Sequence, residues 1–106
     1  MKKLLIATLF VATSVHAGDY QHQSALLGIC NMQAKMGMLI VQAKQTGGPS
    51  LVNAAQFRDE PGLYELVVNT ERIALENADM DPRFVADRVG MWCMDNADSI
   101  IRKHRR

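Results

Sequence analysis

Cys30 and Cys93 are the only thiols in a chain of 106 residues, and what joins them constrains the fold more than any other feature. An even cysteine count in a small exported chain is most simply one intramolecular bridge. Domains below about 100 residues are marginal on their hydrophobic core alone, so a staple has a physical purpose. Closing a loop of roughly sixty residues stabilises a fold by about 4 kcal/mol in the chain-entropy model, whose mechanism is disputed. The rival readings are two free buried thiols, or a redox or metal-binding pair. Those are favoured by a C-x-x-C spacing, which the chain lacks.

Oxidation of the pair depends on compartment, and the first residues, MKKLLIATLFVATSVHAGDY, address that. Lys2 and Lys3 form a short positive region and Leu4 to Ala12 an uncharged apolar stretch. Val15 and Ala17 then stand at −3 and −1 of a cleavage site before Gly18. The apolar run is about half the ~20 residues that span a bilayer, and no later stretch reads as a span. The expectation is a signal peptide at 1–17, a single domain at 18–106, and a periplasmic or secreted protein with no stable membrane anchor after cleavage. The short two-lysine start looks bacterial. The signal takes two of the twelve basic residues and none of the eleven acidic ones. The remainder is nearly neutral, which gives no reason to expect a nucleic acid partner.

No alternating apolar run bounded by hairpin turns occurs, whereas helix punctuation recurs. Helix one is predicted from about Gln23 to Gln45, stopping at Thr46-Gly47-Gly48-Pro49. Ser50 is placed to cap a short helix two, Leu51 to about Phe57. Asp59-Glu60-Pro61 opens helix three and Asp81-Pro82 opens helix four, with proline in the first turn where its missing N–H costs nothing. Helix four runs to about Arg102. Helix three sets Glu65, Asn69, Arg72 and Glu76 on one face, and Leu63, Leu66, Val67, Ile73 and Ala74 largely on the other. Helix four buries Val85, Val89, Trp92, Cys93, Ala97 and Ile100 or Ile101, with Asp87, Asp95 and Asp98 outward. Trp92 is expected to pack against the disulfide. The fold class is all-α: a small four-helix orthogonal or bundle-like domain with one disulfide.

Helix one carries two apolar stripes. Leu26, Cys30, Ala34, Gly37 and Val41 form a small-residue stripe, and Cys30 assigns helix four as its neighbour. Ala25, Ile29, Met32, Met36, Leu39, Ile40 and Ala43 form the other. Gln33 and Lys44 sit between the stripes, while Asn31, Lys35 and Gln42 face water. Either helices two and three cover the second stripe, or Ile29, Met32, Met36, Leu39 and Ile40 form a surface for a protein partner or a homodimer.

Met32 with Met36, or Met91 with Met94 and Cys93, offers soft sulfur to Cu(I). Methionine is equally the filler of irregular cores and adaptable surfaces, so no metal ligand and no cofactor is assigned. His22 and His104 lie near the chain ends with no nucleophile or carboxylate at a telling spacing, so no catalytic residue is assigned and an enzyme is not expected. The three aspartates of helix four read as a solvated face. The tail IIRKHRR reads as a helix end that complements the dipole.

The A-L-L-G-I-C segment around Cys30 and the M-W-C-M-D segment around Cys93, followed by a basic helical end, resemble small exported bacterial proteins with two cysteines. That group includes periplasmic immunity proteins that neutralise cell-wall amidases injected by type VI secretion systems. The resemblance implies a non-enzymatic protein-binding module, such as an immunity or inhibitor protein, often dimeric. Nothing between the two segments is diagnostic, and no residue role carries over. A periplasmic chaperone or stress protein, and a Cu(I)-binding protein, are the alternatives.

Overall fold

A computed structural model describes the backbone from Lys2 to Arg105 and the side chains from Gln21 to Arg105. The described residues form three α-helices, α1 (Lys2–Thr46), α2 (Pro61–Glu76) and α3 (Pro82–His104), and one 3-10 turn, Ala54–Phe57. No strand occurs among the described residues. The side chains of the signal segment lie outside the described residues. The backbone of α1 runs through the expected cleavage site and past the expected start at Gln23, with no proline to interrupt it.

The expected fourth helix is the main departure. Only one 3-10 turn forms between α1 and α2. Ser50 does not cap it: its hydroxyl donates to the Val52 carbonyl at 2.8 Å and closes a local turn. Leu51 stays exposed, and Val52 packs against the core as a single side chain rather than as part of a helix face. The turn instead starts where Gln56 accepts from the Asn53 amide and a Glu71 carboxylate oxygen accepts from the Ala54 amide. Its packing is on α2.

The other boundaries follow local chemistry. Gly47 adopts φ 76°, and the Gly48 amide reaches back to the Ala43 carbonyl at 3.0 Å, a left-handed stop that suits glycine. Pro61 and Pro82 open α2 and α3, and the Asp81 carboxylate accepts from the Arg83 amide at 2.8 Å. Helix α3 continues to His104, one half-turn beyond the expected end.

The disulfide forms as expected, with Cα atoms 5.4 Å apart, inside the usual range. Contacts at 22–98, 30–93 and 45–80 show that α1 and α3 run in opposite senses. The link from Lys103 to Glu65 sets α3 opposite to α2 as well, so the loop at 47–60 carries the chain back beside α1. The core has two clusters. Leu26, Cys30, Leu66, Cys93, Ala97 and Ile100 surround the disulfide. Ile40, Val41, Ile73, Ala74, Val85 and Val89 form the second. Half-buried Trp92 packs against both.

By length and composition, Gln21–Thr46 of α1 matches a membrane-spanning stretch, contrary to the expectation that none follows the signal. Leu26, Ile40 and Val41 are nevertheless buried in the domain, and the bridge to α3 holds them there. A helix that packs against two others at once needs an apolar surface of this width.

Candidate functional site

The second stripe of α1 divides when folded. Ile40 is core, 4% exposed, and packs with Val41, Ile73 and Val85; its place among the surface candidates is corrected. Ile29 and Met36 are half-buried, Ile29 against the disulfide cluster. Met32 and Leu39 stay open to solvent, at 53% and 48%. The stripe is wider than the area that α2 covers, so its inner edge joins the core and its outer edge does not. The structure thus brings Met32, Met36 and Leu39 to one side of α1, with Ile29 and Ile40 beneath them.

Gln33 also differs from expectation. It lies in the core rather than between stripes, fully buried, and its Oε1 accepts from the Thr70 hydroxyl at 2.7 Å. Its Nε2 has no hydrogen-bond partner.

A second apolar surface lies between α1 and α3. Leu27 is 52% exposed and Met91 70%, with Met94 less so, and they edge an open groove whose lining residues all belong to these two helices. Ala34, Ala86 and Gly90 also line it. Small side chains there let the backbones approach: a β-carbon on Gly90 would stand 3.9 Å from that of Ala34. Sequence periodicity misses this groove because its walls come from different helices. The disulfide register carries the signal, since Leu27 and Ala34 lie one turn either side of Cys30, while Gly90 and Met94 flank Cys93.

The histidines have carboxylate partners far away in sequence. His22 Nε2 lies 2.8 Å from Asp98 Oδ1, and Arg102 pairs with the other Asp98 oxygen at 3.1 Å. Glu65 receives Lys103 at 2.7 Å and His104 Nε2 at 3.0 Å. The basic end of α3 is thereby tied to α2, and the start of the described part of α1 is tied to α3. Hydrogen bonding from His22, with Arg102 adding charge, holds the Asp98 carboxyl below its ordinary range. Lys103 foremost and then His104 do the same for Glu65. Of the three outward aspartates of α3, Asp98 is therefore paired, whereas Asp87 and Asp95 form no ion pair among the described residues.

No group of three His, Cys, Asp or Glu side chains among the described residues is arranged to hold a metal ion. The Cys93 sulfur is engaged in the bridge, which leaves Met91 and Met94 as thioethers without a neighbouring thiolate. Sequence and structure comparisons give no match for this chain among protein-family models, curated proteins or solved structures.

Proposed function

We propose that this chain is an exported, periplasmic, non-enzymatic protein-binding module, of the kind that an immunity or inhibitor protein represents. One observation carries the reading: Leu27, Met32 and Leu39, all on α1, are each about half exposed although α1 is the helix both others pack on. Large apolar side chains held on a stapled helix offer area for a partner at little ordering cost. Met32 and Met36 add adaptable thioethers to the side of α1 that Leu39 shares. An apolar N-terminal helix and a disulfide are compatible with export.

Photo-crosslinking in living cells tests this. A photoreactive residue is placed at position 27, 32 or 39, with position 72 on the outer side of α2 as control. The reading expects a discrete protein adduct from at least one of the three and none from the control. Absence of a discrete adduct at all three overturns it. An immunity protein gives one adduct of fixed mass, and identification of the adduct by mass spectrometry tests that narrower role.

A second reading is a chaperone that exposes apolar surface on acidification. It draws on Asp98 and Glu65, whose paired carboxylates tie three helix segments together and lose those ties when protonated. Reversible dye binding that appears only on acidification supports it, and an unchanged dye signal excludes it.

A further inference from the structure

We propose that the groove between α1 and α3 docks a basic amphipathic helix of a partner protein, with apolar side chains on Leu27, Met91 and Met94 and cations on Asp87 and Asp95. The inference rests on the protein-binding reading and adds the partner's chemistry. The groove is continuous: Leu27, Met94 and Asp95 line both its halves. Its small-residue floor and exposed apolar rims suit a helix laid lengthwise, since such grooves take the apolar face of an incoming helix.

Charge selects among possible occupants. Asp87, Asp95 and Asp98 line the groove, and the nearest basic side chains, Arg102 and Lys103, stand past its Asp98 end, where they pair with Asp98 and Glu65. The histidine at its end, His22, is bound to Asp98. Asp98 is further neutralised by Arg102, so the unpaired negative charge belongs to Asp87 and Asp95, two turns apart on α3. A second copy meeting this face in a two-fold dimer brings its own Asp87 and Asp95 towards these, and like charges across an interface disfavour it. An anionic lipid surface is disfavoured for the same reason. A partner helix with lysine or arginine beside its apolar stripe meets both features at once.

The probe is a synthetic lysine/leucine amphipathic helical peptide, titrated into the 15N-labelled, oxidised protein as purified from the cells that produce it, at moderate salt. The expected result is saturable shifts concentrated at Leu27, Ala34, Gly90, Met91 and Met94. Affinity should fall by about tenfold or more in D87K/D95K, and should change little in E76K/D79K, which alters the net charge equally but away from the groove. A glutamate/leucine peptide of the same pattern should not bind. Shifts spread over Glu71, Glu76 and Asp79 as well, equal binding of the acidic peptide, or no saturable binding overturn the proposal. So does concentration-dependent broadening of the groove amides without peptide, which identifies a second copy as occupant. The cellular crosslinks judge the protein-binding reading separately, because an adduct from position 32 or 39 sustains it even if the groove takes no peptide.

Discussion

Gly37 of α1 faces Val89 of α3 so closely that a β-carbon on the glycine would stand 2.8 Å from Val89 Cγ2. Val89 is fully buried and β-branched, so it has little freedom to turn aside. Alanine normally stabilises a helix by about 1 kcal/mol relative to glycine, but overpacking costs about 1–3 kcal/mol. We predict that G37A lowers the melting temperature and that V89A in the same chain recovers part of the loss. Gly28 supplies the contrast, since nothing lies within 4 Å of a β-carbon there, and G28A should leave the melting temperature unchanged or raise it.

The bridge is expected to dominate stability. Replacing Cys30 and Cys93 together by alanine releases a closed loop spanning 63 positions, worth about 4 kcal/mol in the chain-entropy model. Thermal or urea unfolding of the double variant should show a large loss. The same loss should follow when the wild-type domain is reduced, with no further effect of reductant on the variant.

Gln33 and Thr70 form a buried pair that is only partly satisfied, because Gln33 Nε2 lacks a partner. T70V should destabilise by about 1–3 kcal/mol, since it leaves the Gln33 carbonyl unpaired as well. Q33M/T70V removes both polar groups and should recover most of that loss. A double-mutant cycle from urea midpoints measures the coupling.

Acid should loosen the end of the bundle where Asp98 and Glu65 sit. Both carboxyls are held below their ordinary values, which are 3.8 for Asp98 and 4.5 for Glu65. A carboxyl whose folded pKa is depressed stabilises the fold above the unfolded value, and that contribution is lost as pH falls through the folded one. Stability should therefore begin to fall near the ordinary carboxylate range and continue falling below it. D98N and E65Q should flatten that limb when melting temperature is followed against pH. Because both sites are partly open to water, the effect should shrink in high salt.

Legibility in the sequence followed the range of the interactions. Helices α2 and α3 could be read because Pro61, Pro82 and the apolar periods of Leu66–Ala74 and Val85–Ile100 act within a few residues. The disulfide followed from the even cysteine count and the expectation of export. The short second helix failed because Ser50 closed a local turn and nothing buried Leu51. Ile40 and Gln33 fall in the core because α1 meets two helices at once, so its core arc is broader than one stripe and includes a polar residue whose carbonyl pairs with Thr70. The partners of His22 and His104 are set by the antiparallel run of α3, which no local spacing records. The groove was hidden likewise, although the register fixed by Cys30 and Cys93 contained it.

Another protein in the cell is expected to cover the apolar side chains left open on α1. Methionine oxidation by dilute peroxide reads this directly, with the protein expressed at its natural level and its Met32 peptide quantified by mass spectrometry. In the purified oxidised domain, Met32, 53% exposed, should react faster than the half-buried Met36. Inside the intact cell Met32 should be protected relative to the purified protein. Equal reactivity of Met32 in the cell and in the purified protein would contradict it.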